Sequence, residues 1–259
     1  MKYVLLSLVA AVVIALIHAN VTAEDWRTAS RAPVGLAPDP ATTPEAVIQV
    51  YAARAVRWRG YFGVHTWIAV KPALAERFTV HEVNGWRLRR TGSAVVQSDR
   101  PPDGRWFGSE PELLADARGP EAELMIQRVQ SAVASYPYAD QYRVWPGPNS
   151  NTFTAHVLRE VGELSVDLPP TAIGKDFLDS PFAATAPSGT GFQLNLLGAL
   201  GILAAGQEGL EVNVLGLVFG LDARAPALKL PMIGRIEIYP FGLLALPALV
   251  GIVLVRRRT

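Results

Sequence analysis

The chain has 259 residues, of which 50% are hydrophobic and 18% are charged, and its formal net charge at neutral pH is +1. A soluble domain usually carries about 25% charged residues, so this composition excludes a disordered chain and a strongly basic nucleic-acid-binding protein. The absence of cysteine excludes disulfides, thiolate metal sites, iron–sulfur clusters and a cysteine nucleophile. The length suits one or two domains.

The amino-terminal residues 1–23 form an uncharged run after Lys2, and Val4–Ile17 is almost wholly apolar. Two interpretations are open. A signal peptide would combine the basic start and the apolar centre with a small-residue cleavage site at Val21–Ala23. An uncleaved anchor would use the run and its flanks to span the ~30 Å hydrocarbon core of a bilayer. Residues 24–45, which are rich in proline, are predicted to be a linker or an irregular lead-in to the body.

A second uncharged run, Ile238–Val255, precedes the three arginines at 256–258. This pattern predicts a C-terminal transmembrane helix with an arginine stop over residues 238–259. The positive-inside rule places these arginines and Lys2 in the cytoplasm. We therefore expect a protein of the inner (cytoplasmic) membrane whose main domain faces the periplasm or the cell exterior. The alternatives are a buried helix followed by an exposed basic tail, and a bacterial C-terminal sorting signal, which such apolar tails ending in arginines also resemble.

The segment after the linker is rich in β-branched and aromatic residues, which predicts antiparallel strands. These strands are expected at 47–55, 61–70, 77–83 and 86–97. Asn84-Gly85 is a typical tight-turn signal between the last two.

Three helices are predicted after these strands. The capping-box pattern Ser109–Glu112 opens a short helix to about Ala117. Pro120 opens a second helix that ends near Tyr136. Ser150 or Asn151 caps a third, which runs to about Val161.

The later part of the chain contains an internal repeat, since Gly191–Gly198 matches Gly209–Gly216 at a period of 18 residues. Residues alternate around glutamine or glutamate and asparagine, which predicts two extended segments, paired and closed by glycines. A membrane-dipping hairpin is the competing idea, and its polar positions speak against it. The expected fold is α+β: an antiparallel sheet with packed helices over 46–185, a glycine-rich β extension over 186–237, and terminal membrane segments.

Two features point to chemistry. His65 lies in the middle of a predicted strand. The turn Trp145–Asn149, rich in glycine and proline, delivers Ser150 to the start of a helix. Free backbone N–H groups and a partial positive potential at a helix start are what an oxyanion needs.

The strand Gly-x-His-x-x-Ile, followed about 85 residues later by an Asn-x-Asn-x-Phe turn that opens a helix, resembles the circularly permuted papain-like hydrolases. These include the lecithin–retinol-acyltransferase-like and PPPDE-type branches, and the likeness covers about residues 46–162. The resemblance implies that His65 is the catalytic histidine and that Ser150 stands where the family has its cysteine nucleophile. It also implies that His81 or Glu82 is the third, orienting residue.

Serine requires a different mechanism from cysteine, because its hydroxyl is too weak an acid to ionise beside a histidine. His65 would have to remove the proton during attack while a third residue holds the imidazole. Alternatively, Ser150 only caps the helix. Asn149 and Asn151 are candidate oxyanion or substrate-binding residues, and they are also common turn and cap residues. Lys175 and Asp176 are candidates to line a substrate pocket, with a surface turn as the alternative.

The whole chain also resembles an uncharacterised bacterial membrane-anchored family that has no assigned activity. The resemblance rests on four strings, at 64–70, 85–90, 147–153 and 172–176. Two functions stay open. One is a serine-variant hydrolase or acyltransferase acting on an amide, ester or lipid. The other is a catalytically inactive papain-like module that binds a peptide, glycan or lipid, or that scaffolds partners at the membrane. The bilayer is the expected partner, and neither nucleic acid, a metal nor a cofactor is expected.

Overall fold

The computed structural model describes residues 25–179 and 181–238. Within them the chain is α+β, with three α-helices and twelve strands arranged in two antiparallel sheets. The predicted signal peptide or anchor at 1–23 and the predicted transmembrane helix after Ile238 lie outside the described residues. None of the helices inside that range has the length and apolar character needed to cross a membrane.

The first sheet has five strands in the order β4-β3-β2-β1-β5, and all neighbours are antiparallel. Its strands are β1 (Val47–Arg54), β2 (Val64–Lys71), β3 (Thr79–Val83), β4 (Val95–Ser98) and β5 (Glu112–Arg118). The central strands β1 and β2 are buried on both faces along nearly their whole length. This explains why their sequences are almost continuously apolar rather than alternating.

Helices α1 (Gly85–Thr91), α2 (Pro120–Ala134) and α3 (Ser150–Glu160) belong to the same unit. Helix α3 packs on β2 and β3, and α2 packs on α3. The apolar positions of α2 recur at helical spacing and bury one face against this core. Three short 3₁₀ turns complete the unit, at Pro40–Thr42, Arg57–Tyr61 and Gly162–Leu164.

The other face of the first sheet is covered by loops. Val34, Leu36 and Ala37, in the predicted linker, donate backbone N–H bonds to the buried carboxylate of Asp103, at 2.8–3.3 Å. Trp106 comes from the same loop as Asp103 and packs into the small core on this face. The linker region is therefore held against the body.

Two predicted elements are wrong. The strand expected at 86–97 begins as helix α1, because the Asn84 side chain caps the Trp86 N–H and Gly92 ends the helix at a φ of 74°. The short helix expected from Ser109 is instead strand β5, which pairs with the otherwise open edge of β1. The two later helices are confirmed, and Asn149 is the cap of α3 rather than Ser150 or Asn151.

The second sheet is an antiparallel meander of seven strands that neighbour one another in chain order. The strands are β6 (Ala183–Thr185), β7 (Gly191–Leu196), β8 (Leu200–Ala205), β9 (Gly209–Val214), β10 (Leu217–Asp222), β11 (Ala227–Leu230) and β12 (Gly234–Glu237). The two copies of the repeat form β7 and β9, so both are extended as predicted. They are not paired with each other, because β8 lies between them and pairs with both.

Candidate functional site

His65 and Thr66 lie on opposite faces of the first sheet, because side chains alternate along β2. The Thr66 hydroxyl faces α3, 3.0 Å from Asn151 Oδ1 and 2.9 Å from Thr154 Oγ1. The His65 ring is stacked on Trp106 on the loop-covered face, with 3.7 Å between the ring centroids. The structure therefore does not bring His65 to the helix that begins at Ser150, and the expected serine–histidine pair is not formed.

His65 is instead held by Glu82, another predicted site residue. Its Nε2 lies 2.9 Å from Glu82 Oε2, and Arg100 Nη2 lies 3.2 Å from the same oxygen. Burial of the imidazole lowers the pKa of His65, and the hydrogen bond to Glu82 offsets only part of this effect. Burial alone would raise the pKa of Glu82, but His65 and Arg100 hold it below its ordinary value. The pair is thus a neutral imidazole that donates to a carboxylate.

His81 is separated from this pair although it precedes Glu82 in the chain. It lies opposite Ile68 in the β2–β3 register and therefore projects to the face that packs on α3. Both of its ring nitrogens are buried without a hydrogen-bond partner. Burial lowers the pKa of His81 to about 4. His81 is accordingly a neutral histidine of the core and does not orient His65.

The start of α3 is closed by Asn149. Its Oδ1 accepts hydrogen bonds from the N–H groups of Asn151 and Thr152, at 2.9 and 3.3 Å. The Asn149 N–H in turn donates to the Thr152 hydroxyl, which completes a capping box. Ser150 is buried at 4% exposure, in the first helical position. Two of the backbone donors at this helix start, those of Asn151 and Thr152, are therefore occupied by a side chain of the protein itself.

The amide groups of Asn149 and Asn151 tie three segments together. Asn149 Nδ2 donates to the carbonyls of Val144 and Ile173, at 3.1 and 3.0 Å. Asn151 Nδ2 donates to the carbonyls of Val64 and Ile173, at 3.0 and 2.8 Å. Gly174 has a φ of +94°, and a side chain there would collide with the Asn149 amide. Both predicted substrate-binding asparagines thus have their donors bound to the backbone.

Lys175 and Asp176 lie in a buried cluster of charges between α3 and the second sheet, so the alternative of a surface turn is wrong. Lys175 pairs with Glu211, and Lys229 lies 2.6 Å from Glu211 Oε1 and 2.7 Å from Asp167 Oδ1. Both lysine side chains are fully buried. Burial would lower the pKa of Lys175, but Glu211 and the nearby aspartates raise it above its ordinary value.

This cluster is tightly packed. Asp176 Oδ2 accepts from Asn213 Nδ2 at 2.9 Å, whereas its Oδ1 has no partner. Burial raises the pKa of Asp176, and Lys175 offsets this only in part. The space beside the carboxyl, lined by Gln193 and Asn195 among others, does not admit a water-sized sphere. The cluster is therefore a junction between the two sheets rather than an open pocket.

The polar positions of the repeat supply this junction. Gln193, Asn195, Glu211 and Asn213 all point inward and are buried. Arg159 on α3 donates to Gln193 Oε1 at 2.9 Å, which connects the helix to the sheet. The alternation of the repeat is visible in the sequence, but nothing in the sequence indicates that its polar side is the buried one.

The opposite face of the second sheet, here called the outer face, is apolar and uncovered among the described residues. Ten large apolar side chains on it are each 40–58% exposed: Phe192, Leu194, Leu196, Leu200, Ile202, Leu210, Val212, Val214, Phe219 and Leu221. A sheet with one solvated face usually has the reverse polarity. The alternation in the sequence implies one polar and one apolar face of the sheet, but it does not show which of the two is exposed.

Comparison with known proteins identifies a family and nothing beyond it. A family model described as "Protein of unknown function (DUF3750)" matches residues 45–177, which is about half of the chain. The match ends in the Lys175–Phe177 segment, so it covers the first sheet, its helices and the Asn149–Asn151 turn. Neither a curated protein nor a solved structure matches the chain. Within the described residues, no group of three or more histidine, aspartate and glutamate side chains could hold a metal ion.

Proposed function

The chain belongs to the DUF3750 family of proteins of unknown function, and we propose that it is a membrane-tethered, catalytically silent binding module of the cell envelope. The observation that carries the proposal is the closed start of helix α3. Asn149 occupies the N–H groups of Asn151 and Thr152, and β2 directs His65 to the other face of the sheet.

Serine-based acyl transfer needs a general base within about 3 Å of the hydroxyl, together with free donors for the oxyanion. At Ser150, the neighbouring strand presents Thr66 instead of a histidine. The hydroxyl and amide groups of Thr66, Asn151 and Thr154 bond to one another between helix and sheet. The first turn of α3 is thus hydrogen-bonded to β2 through Thr66, at the place where catalysis would need a general base.

The tether is proposed from the two apolar runs that flank the described body. Val4–Ile17 precedes it, and Ile238–Val255 with the arginines at 256–258 follows it. Both ends then place the body on the extracytoplasmic side, in agreement with the positive-inside rule. A single anchor would also suffice if the first run is removed as a signal peptide.

A fluorophosphonate probe separates this proposal from the hydrolase alternative. We expect no labelling of the full-length protein in isolated membranes, and the same result for Ser150→Ala. Labelling of the unaltered protein that disappears in Ser150→Ala would overturn the catalytically silent module and restore the hydrolase or acyltransferase. Extraction of the membranes with alkaline carbonate tests the tether, and release of the full chain into the soluble fraction would refute it.

A further inference from the structure

The outer face of the second sheet forms continuous apolar rows across the strands. Leu194 lies opposite Ile202, Ile202 opposite Val212, and Val212 opposite Phe219. The usual strand spacing and rise give the sheet a size of roughly 30 Å by 20 Å. Such an area is at or above the largest apolar patch of an ordinary monomer, about 300–600 Å². A face of this size and polarity indicates a partner that is itself apolar and extended.

We propose that the outer face lies flat on the lipid bilayer, with its side chains in the interfacial region. The inference names the partner of the proposed binding module and rests on that function only in taking the chain to be tethered. The polar face of the sheet then packs on the protein body, and the apolar outer face packs on lipid. This explains why the sheet is polar on its buried side and apolar on its exposed side.

The place where the chain leaves the sheet supports lipid as the partner. Strand β12 ends at Glu237, and the uncharged run begins at the next residue, Ile238. Eighteen helical residues span about 27 Å, which matches a hydrocarbon core of ~30 Å. With no spacer between β12 and the run, a membrane-spanning helix holds the sheet at the bilayer surface. Ile236, opposite Leu228 in register, extends the outer face into this last strand.

The composition of the C-terminal run argues against its folding back over the outer face. Every side chain from Phe241 to Val255 is apolar. A helix that covers a sheet in water needs one polar side, and a helix that is apolar all round belongs in a membrane or a large core. Covering the outer face with this run would therefore replace one exposed apolar surface with another.

The sheet edges limit how deep the contact goes. Strands β6 and β12 are the ends of the meander, so within the described part of the chain each has one side without a neighbouring strand. Backbone groups at such edges cannot lose water in the hydrocarbon core. The outer face consequently rests at the headgroup–acyl boundary, where side chains enter to a depth of about 5–10 Å while the backbone stays hydrated.

Site-specific fluorescence tests the contact, because the chain has no cysteine of its own. Single cysteines replace Ile202 and Phe219 on the outer face, Gln127 on the exposed side of α2 as the matched control, and Ile252 in the C-terminal run. Each full-length variant carries an environment-sensitive fluorophore and is reconstituted into vesicles of equal parts phosphatidylcholine and phosphatidylglycerol. Lipids with a nitroxide near the headgroup end of the acyl chain serve as quenchers. Tryptophan emission confirms that each variant is folded.

We expect quenching at 202 and 219 to be several-fold stronger than at 127, with a blue-shifted emission. Quenching at 252 without quenching at 202 and 219 would overturn the lipid contact and leave the tether intact. Quenching at 202 and 219 but not at 252 would keep the contact and refute the C-terminal tether. Crosslinking between copies through position 202, in place of quenching, would assign the outer face to a second copy and contradict the proposal.

Discussion

Glu82 binds His65, whereas its neighbour His81 lies in the core without a polar partner. The difference follows from the alternation of β3, which sends the two side chains to opposite faces. An unpartnered imidazole in the core can be tolerated only as long as it is neutral. Its protonation therefore links the stability of the fold to pH.

Replacement of His81 by leucine should remove this pH dependence. Burial depresses the pKa of His81 from 6.5 to about 4 in the fold, so the unfolded chain binds the proton first as the pH falls. The contribution of His81 to the unfolding free energy is therefore fully present above its unfolded pKa, and it is lost as the pH falls from there towards the pKa in the fold. At about pH 4.5, His81→Leu should exceed the unaltered protein in unfolding free energy by about 2–3 kcal/mol, relative to their difference at neutral pH.

Denaturant titrations of the detergent-solubilised chain at neutral and acidic pH measure this difference. Val83→Leu changes a buried side chain on the same face of the same strand and is the control. Its effect should be the same at both pH values. An equal effect of His81→Leu at both pH values would show that His81 does not titrate with unfolding.

The sequence predicted the helix at Ser150 and the strand at His65, but not the face on which each side chain lies. In β2, one side carries Thr66 and Ile68 and the other carries His65 and Trp67, so both sides are suited to burial. A strand buried on two faces gives no periodic signal that distinguishes them. Helix α3 packs on the side of Thr66, and only this tertiary contact determines that His65 lies on the face away from Ser150.

At the level of elements, the two copies of the repeat end in the same turn. Leu197 and Leu215 both have a φ of 53°, and each is followed by a glycine with positive φ. This conformation costs an L-residue with a bulky side chain about 1–2 kcal/mol, and asparagine tolerates it far better. In each copy, an asparagine two residues before the leucine accepts the glycine N–H and fixes the turn.

Leu215→Asn should therefore raise the unfolding free energy by about 0.5–1 kcal/mol, because it relieves the strained turn position. Thermal unfolding of the full chain in detergent gives the measurement. Leu196→Asn changes an exposed leucine of extended conformation just before the corresponding turn, and it is expected to give no gain. If both variants gained equally, relief of the turn could not be the cause.

Local signals identified elements well where tertiary pairing did not compete. The alternation of the repeat gave β7 and β9, and Pro120 marked the start of α2. The capping-box pattern at Ser109–Glu112 failed, because pairing with the edge of β1 outweighs a single helix-start signal. Asn84-Gly85 predicts a hairpin turn, but the same asparagine can equally cap a helix, and here it caps one that Gly92 ends.

On the scale of the whole molecule, the buried charges of the second sheet connect it to the family-matched part of the chain. Lys229 on β11 reaches Asp167, which lies between α3 and the second sheet. It also pairs with Glu211 on β9. Buried ions are costly when one partner is missing, so these ion pairs should couple the unfolding of the two sheets. The outer face adds nothing to this coupling, since it points away from the junction.

Lys229→Met should separate the unfolding of the two sheets, because it leaves Glu211 and Asp167 each with one partner fewer. Five of the six tryptophans lie between Trp26 and Trp106 and report on the first sheet and its loops. The sixth, Trp145, donates to the Leu215 carbonyl of the second sheet and is replaced by phenylalanine in every variant compared. A fluorophore on Ala223→Cys, in the exposed turn after β10, reports on the second. The two transitions should coincide in denaturant for the chain with Lys229. In Lys229→Met the fluorophore should report unfolding at a lower denaturant concentration than the tryptophans do. The difference should correspond to about 3–5 kcal/mol in unfolding free energy.

Leu228→Met, which alters the other side of the same strand, should leave the two transitions together. Coincident transitions in Lys229→Met would mean that the apolar contacts of the junction couple the sheets without the ion pairs.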